Sequence, residues 1–116
     1  MKSSLKNLLT KVLKLLGSLS YDSGWQASGI SMYRKVGNVV TVVGVSYGNV
    51  TLTAGQYTTV AMLPVGFRPV VQMGFNPVSI GQTGVDMTGW VHNGGDVNIY
   101  SNTTTTYWGY SVSFLV

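Results

Sequence analysis

Side chains able to do acid–base or nucleophilic chemistry are few in this sequence. The chain has no Glu and no Cys, one histidine (His92) and three acidic residues, Asp22, Asp86 and Asp96. Hydrolysis of a glycoside needs two carboxylates held about 5–10 Å apart. Asp86 and Asp96 fall on neighbouring predicted strands but several residues apart along them. We therefore expect a turn residue and a solvated strand residue rather than a catalytic pair.

Motifs for catalysis and for tight metal binding are absent from the sequence. It contains no nucleophile elbow, no zinc-protease motif and no phosphate-binding loop. His92 has no carboxylate or serine beside it in a motif, which is typical of an exposed polar residue. Calcium held by an aspartate and backbone carbonyls is the one metal alternative left open. We predict a protein that is not an enzyme and that uses no cofactor or metal.

The composition predicts one domain with an unusually uncharged body. The chain has 116 residues, of which 45% are hydrophobic and 9% charged, against about 25% charged in a typical soluble domain. The net charge of +4 comes from four lysines in the first 16 residues. From Gly17 onward three cations balance three aspartates. A nucleic-acid partner is not expected, because the body has no cluster of basic residues to face phosphate.

The segment 1–19 has the pattern of an amphipathic helix. Its apolar side chains recur at heptad spacing, and the lysines lie off that seam. We predict an oligomerisation stalk whose seam is formed by Leu5, Leu8, Val12, Leu15 and Leu19. Two alternatives stay open: the helix packs on its own domain, or it lies on a membrane surface. The segment is too short and too charged to span a bilayer.

The segment 20–116 changes to the pattern of consecutive strands. Turn pairs such as Gly37-Asn38 and Gly94-Gly95 separate runs rich in Val, Thr and Tyr. We predict an all-β domain, an antiparallel sandwich or jelly roll, because seven or eight runs follow one another without a helical segment. The predicted strands are 30–36, 39–47, 50–53, 58–63, 70–75, 85–92, 96–100 and 107–116.

Small size and low charge favour an assembly of several copies. A domain of this length buries only about 60–65% of the surface of its unfolded chain. The run 39–43 is apolar on both of its faces, so we expect it to be covered twice or to meet a neighbouring subunit. The apolar last residues, 113–116, predict a paired final strand. Its residues Trp108, Tyr110, Val112, Phe114 and Val116 are expected to share one face.

Aromatic and amide residues near the Gly94-Gly95 turn give the best surface candidates for binding. If Val91 and Val97 point inward, their neighbours in the strands point outward. Aromatic rings stack on sugar rings and also dominate protein interfaces, so core or interface packing is the alternative role. The polar loop 101–106 adds a further candidate. The predicted ligand-binding residues are Trp90, His92, Asp96, Asn98, Tyr100 and Asn102.

The most distinctive stretch is Leu63-Pro64-Val65-Gly66-Phe67-Arg68-Pro69. The two prolines stiffen this loop and Gly66 permits a tight turn. We expect Phe67 to tuck against the end of the domain. Arg68 is expected to be a buried or interface hydrogen-bonding residue rather than a ligand contact.

This stretch resembles the LP-x-G-[FY]-RP segment of head domains in phage and prophage tail-fibre and baseplate proteins of Gram-positive bacteria. The flanks are similar too: Gly24-Trp25 with 33–42 upstream, and 89–100 and 108–116 downstream. The resemblance spans about residues 21–116. It implies a homotrimeric β-sandwich head at a fibre tip, behind a stalk, which binds a glycan or protein of the bacterial surface.

On that resemblance we expect the protein in a virion, or encoded in a bacterial prophage. Two other functions remain open from the residues alone. One is a structural module that trimerises and caps a fibre. The other is a secreted lectin-like protein, or one that associates with membranes through the Lys/Leu helix.

Overall fold

The computed structural model describes residues 4–11 and 21–116. Within these, residues 4–11 form one helix, α1, and all other regular structure is β-strand. The prediction of an all-β body is confirmed. The strands are β1 (Gln26–Ser28), β2 (Ser31–Val36), β3 (Val39–Leu52), β4 (Gln56–Met62), β5 (Met73–Phe75), β6 (Val78–Ser79), β7 (Met87–Val91), β8 (Asp96–Ser101) and β9 (Thr105–Leu115).

The strands form two antiparallel sheets. The five-stranded sheet has the order β1-β2-β3-β9-β6, and the four-stranded sheet has the order β4-β8-β7-β5. The long pair β3 and β9 is the centre of the first sheet, and the predicted hairpin of β7 and β8 is the centre of the second. The hairpin turns at Asn93-Gly94-Gly95 as expected, with Val91 opposite Val97.

One apolar core lies between the two sheets. Alternate residues of each strand face it, because successive side chains of a strand point to opposite sides. The predicted alternation of the last strand is confirmed, since Ser111 and Ser113 are exposed between buried neighbours. The core comprises Val40, Val42, Leu52, Val60, Ala61, Leu63, Val91, Val97, Ile99, Trp108, Tyr110, Val112 and Phe114.

Tyr110 joins the two sheets through its ring and its hydroxyl. The ring centroid lies 5.2 Å from that of Phe75 in the other sheet. Ser31 Oγ donates to the carbonyl of Val60 at 3.3 Å and lies 2.6 Å from the Tyr110 hydroxyl. The Tyr110 hydroxyl therefore donates to Ser31, which satisfies a polar group that is buried with the ring. Burial raises the pKa of Tyr110 to about 12.

Some predicted strand boundaries were wrong. The segments 39–47 and 50–53, predicted as two strands, form one: β3 runs on to Leu52. The ladder with β9 shifts register between Tyr47 and Leu52, where Gly48 has a φ of +82°. A glycine can take this left-handed conformation without the steric cost of a side chain, so the irregularity is absorbed within the strand. The short strands β1 and β6 were not predicted.

The loop 63–69 packs largely as expected. Arg68 is half-buried, and its Nε donates to the carbonyl of Leu63 at 2.9 Å. Phe67 meets the ring of Tyr33 edge to face at 5.0 Å. The loop 101–106 differs from its prediction, because Ser101 and Thr105 are buried and belong to β8 and β9.

The helix α1 exposes its apolar residues. All eight residues from 4 to 11 are exposed, with Leu5 at 70% and Leu8 at 58% of full exposure. These leucines bury little surface within a single chain. The other predicted seam residues, Val12, Leu15 and Leu19, lie outside the described residues. Among the described residues no helix has the length and hydrophobicity needed to cross a bilayer.

Burial of Tyr110 predicts a loss of stability at alkaline pH. Between about pH 10 and pH 12 the tyrosine ionises in the unfolded chain but stays protonated in the fold, so the free energy of unfolding falls as the pH rises. Two pKa units correspond to about 2–3 kcal/mol. We expect Tyr110→Phe to flatten this decline and to cost about 1 kcal/mol at neutral pH through the lost hydrogen bond. Urea unfolding between pH 7 and pH 12 measures both.

Tyr47→Phe is the matched control, since Tyr47 is 68% exposed. It should keep the slope of the unsubstituted protein. An unchanged slope in Tyr110→Phe would contradict the assignment of the alkaline transition to this residue.

Candidate ligand-binding site

The outer face of the four-stranded sheet carries a row of polar and aromatic side chains. Thr59, Asn98 and Trp90 lie directly opposite one another across β4, β8 and β7. Residues that are opposite in an antiparallel ladder share a face of the sheet. Val97 and Val91, which neighbour Asn98 and Trp90, are fully buried. The row therefore faces away from the core, as predicted for Trp90 and Asn98.

A recess of about 390 Å³ opens on this face. Its lining combines two aromatic rings, two amides and the imidazole: Tyr57, Gln72, Trp90, His92 and Asn98. None of these side chains carries a formal charge while His92 is neutral. The volume is within the range of small-molecule pockets in proteins.

Trp90 is positioned by a glycine on the neighbouring strand. Gly74 of β5 pairs with Trp90, and a side chain at Gly74 would begin 3.3 Å from the six-membered ring of the indole. The ring therefore lies over the backbone of β5, where the glycine leaves space for it. Trp90 remains half-buried, so part of the indole is held by the protein and part is open to a ligand.

Asn98 is held by hydrogen bonds on both sides of its amide. Thr59 Oγ1 donates to Asn98 Oδ1 at 2.6 Å, and Asn98 Nδ2 donates to Asp96 Oδ2 at 2.7 Å. Because an amide has two N–H donors and two carbonyl lone pairs, one N–H and one lone pair remain. The two bonds fix which end of the amide is which and stop the side chain from rotating.

Tyr57 and Tyr100 form an aromatic pair beside the recess. They are opposite in the β4–β8 ladder, and their ring centroids are 5.4 Å apart. Tyr57 is 58% exposed and lines the recess, whereas Tyr100 is half-buried and supports it. Such pairs add about 0.5–1.5 kcal/mol beyond simple burial, which restrains the Tyr57 ring.

The structure divides the six predicted ligand-binding residues into three groups. Three of them, Trp90, His92 and Asn98, line the recess. Asp96 and Tyr100 face the same side and support its lining. Asn102 lies elsewhere, because its side-chain oxygen accepts the backbone N–H of Asp86 at 2.9 Å.

Asn102 thus closes the opposite end of the β7–β8 pair. The same pairing separates the carboxylates of Asp86 and Asp96: Asp86 bonds the backbone of Asn102, whereas the carbonyl of Asp96 accepts the N–H of His92 at 3.0 Å. The two acids lie at opposite ends of the hairpin. This geometry offers no pair of carboxylates around one bond.

Tyr57 and Gln72 were not among the predicted site residues. Tyr57 stands in a strand with an alternating pattern, which could have indicated an outward ring. Gln72 directly precedes β5 and carries no such signal. Both reach the recess only because β4 pairs with β8 and β5 pairs with β7, and these pairings join segments that are far apart in the sequence.

The arrangement is suited to reversible binding. Aromatic rings offer stacking surfaces, and the fixed amide offers a donor and an acceptor. Among the described residues no group of three or more histidines or acids is close enough to hold a metal ion. The lining of the recess offers stacking surfaces and hydrogen-bonding groups.

A second aromatic and charged cluster lies on the five-stranded sheet. Arg34 Nε donates to Asp22 Oδ1 at 2.9 Å, and a second bond joins the same two side chains. The guanidinium also lies 5.8 Å from the ring centre of Trp25. The hydrogen bond from Arg34, and then that from the Gly24 N–H, lowers the pKa of Asp22 to about 2. The Arg34 guanidinium is thus paired with Asp22 of the same chain.

The outer face of the five-stranded sheet is largely apolar. We call it the open face. The pairing of β2 and β9 with β3 brings the outward side chains of the three strands together on this face. Within residues 21–116, Arg34 is the charged residue among them. The exposed members of the open face are Met32, Val36, Val39, Val45, Tyr47, Val78, Tyr107 and Leu115.

An apolar groove of about 510 Å³ adjoins the end of β9. Ser113 contributes its only side-chain hydroxyl, so the groove offers few hydrogen bonds to orient a small ligand. Its lining is Pro69, Val70, Val71, Met73, Ser113, Phe114 and Leu115. The smaller recess at Trp90 is the better candidate for specific ligand binding.

The pairing of Asp22 with Arg34 can be tested by titration. We expect the carboxyl carbon of Asp22 to titrate near pH 2 in an NMR experiment, so that the charged pair persists above that pH and is lost as the pH falls through it. Arg34→Gln should raise the midpoint towards the ordinary 3.8. Lys35→Gln, the adjacent cation, is the control and should leave it unchanged. An unshifted midpoint in Arg34→Gln contradicts the pairing.

Comparison with known proteins does not identify the chain. No protein-family model matches it, and no curated protein is significantly similar to it. The resemblance of the loop 63–69 to tail-fibre heads thus remains an expectation from the sequence.

Proposed function

We propose that this chain is a non-enzymatic, phage-type receptor-binding head, which acts as a homotrimer and attaches to a glycan or protein on the surface of a host bacterium. The observation that carries the proposal is the recess around Trp90. It joins the exposed ring of Tyr57 and the half-buried ring of Trp90 with a fixed amide on the outer face of the four-stranded sheet. That composition favours recognition of an external ligand over core packing.

The open face supports assembly into a homotrimer. It presents apolar side chains from β2, β3 and β9 with one charged residue, which is already paired. Large exposed apolar patches mark interaction surfaces in soluble proteins. The exposed leucines of α1 add a second apolar strip that a neighbouring copy can cover.

The arrangement of two sheets supports a β-sandwich fold. Two antiparallel sheets with one shared core are typical of a β-sandwich, and a jelly-roll-like head is the form we propose. Binding loops and faces of such heads lie at the tip of a fibre, so the proposed location is the virion, or a prophage that encodes it. Three recesses on one rigid trimer would strengthen weak individual contacts through avidity.

A purely structural role is the second candidate. The open face and the exposed helix would suffice for a module that trimerises and caps a fibre. The recess would then have no ligand. A secreted lectin-like role shares the recess with the leading proposal and differs in the location of the protein, and a membrane-associated role would use the Lys/Leu helix.

Sedimentation tests the assembly. We expect a mass of about three times the 12.4 kDa chain. Val45→Lys places a charge in the centre of the open face and should raise the dissociation concentration at least about tenfold, because a buried unpaired charge costs several kcal/mol. Val65→Lys is the matched control, since Val65 is 82% exposed in a loop. A monomeric unsubstituted protein contradicts the trimer.

Adsorption of fluorescently labelled protein to a panel of Gram-positive cells tests attachment. We expect Trp90→Ala to weaken adsorption at least about tenfold, since loss of an anchoring Trp costs about 2 kcal/mol or more. Tyr21→Ala removes another exposed aromatic ring, at 47% exposure and outside the open face, and should leave adsorption unchanged. Absence of adsorption across the panel would favour the structural role, and equal losses in both variants would exclude the recess as the contact.

A further inference from the structure

We propose that the recess takes a neutral hexopyranose, one face of which stacks on Trp90 while two adjacent hydroxyls bond to Asn98; this inference rests on the proposed function and narrows its ligand. The recess could in principle accept an acidic sugar, a phosphate-bearing polymer or an apolar group. The charges and hydrogen bonds around it distinguish these classes.

Within residues 21–116 no Lys or Arg side chain lines the recess to meet an anionic ligand. The cations within residues 21–116 are Arg34, Lys35 and Arg68, and none of them lines the recess. Each has a bond elsewhere: to Asp22, to the carbonyl of Gly66 at 3.0 Å and to the carbonyl of Leu63 at 2.9 Å, respectively. Recognition of a carboxylate or phosphate usually relies on arginine or lysine.

A negative charge adjoins the lining of the recess at Asn98. The carboxylate of Asp96 accepts a hydrogen bond from Asn98 Nδ2 at 2.7 Å. Asp96 is half-buried, so its field is only partly screened by water. An anionic group placed against Asn98 would be repelled by this carboxylate, whereas a neutral hydroxyl would not.

The unused hydrogen-bonding groups of the Asn98 amide match a pair of hydroxyls. Thr59 and Asp96 each use one position of the amide and leave one N–H donor and one oxygen lone pair. Adjacent hydroxyls of a pyranose can supply one acceptor and one donor in that geometry. The amide is already fixed, so binding loses little side-chain entropy.

The aromatic part of the recess matches the C–H face of a sugar. Trp90 is steadied by Gly74 beneath it and Tyr57 by Tyr100, so both rings are held in place before a ligand arrives. A wholly apolar ligand fits less well. It would cover the polar groups of Asn98, His92 and Gln72 without replacing their bonds to water, which costs free energy for each group.

The test is a binding panel on the intact protein. The neutral probes are glucose, galactose and N-acetylglucosamine, free and as oligomers. The anionic probes are glucuronic acid, sialic acid and glycerol phosphate oligomers. We expect binding of at least one neutral probe, with shifts of the Trp90 indole and Asn98 amide signals in ¹H–¹⁵N spectra.

Four variants sharpen the panel. Trp90→Ala should weaken binding of the neutral probe at least about tenfold, while Tyr21→Ala should not change it. Asn98→Asp replaces the donor with a charge and should weaken binding by a similar factor. Asp96→Asn keeps an oxygen for the Asn98 amide and removes the charge, so binding of the anionic probes should strengthen at least about threefold relative to that of the neutral probe.

The outcomes separate this inference from the proposed function. Preferential binding of an anionic probe at the Trp90 and Asn98 signals would overturn the inference and leave receptor binding intact. Adsorption to cells that is abolished by protease treatment of the cells, with no sugar bound, would also overturn it and indicate a protein receptor. Failure to adsorb to any cell, together with no binding of any probe at the recess, would contradict both the inference and the proposed function.

Discussion

The long antiparallel pair of β3 and β9 is the constraint on which the rest of the structure depends. Its inward side chains include Val40, Val42 and Trp108, all fully buried, and a single sheet cannot remove them from water. The four-stranded sheet supplies the matching layer with Val91, Val97 and Ile99. Because strands alternate, burying these residues turns their neighbours outward. The two-residue alternation of side chains along each strand therefore places some residues in the core and their neighbours in the recess.

The two outer faces differ in a way that suits different tasks. The face with Trp90 and Asn98 mixes rings with hydrogen-bonding groups around a recess. The open face is apolar, and its one charged residue is paired with Asp22. The first arrangement offers directional bonds to a ligand, and the second offers area to a neighbouring copy. Large exposed apolar patches of this kind are typical of interaction surfaces.

Cross-strand glycines provide space for three of the large rings. Gly44 is opposite Tyr110, Gly74 is opposite Trp90 and Gly89 is opposite Phe75. At each glycine a side chain would collide with the ring or press closely against it. A ring laid over a glycine fills the space that a side chain would occupy and favours that register of the two strands. The same arrangement of a ring over a glycine thus positions rings in the core and in the recess.

The sequence by itself determined the strand content, the β7–β8 hairpin and the outward direction of Trp90, Asn98 and Tyr100, because alternation and turn residues act locally. It did not determine that Tyr57 and Gln72 would join them or that Asn102 would bond to Asp86 instead. It also missed the continuation of β3 through Gly48. These features depend on which distant strands pair and in what register, and that choice is made by the packing of the whole core. Local periodicity is the same for many possible pairings, so only the tertiary structure could select one.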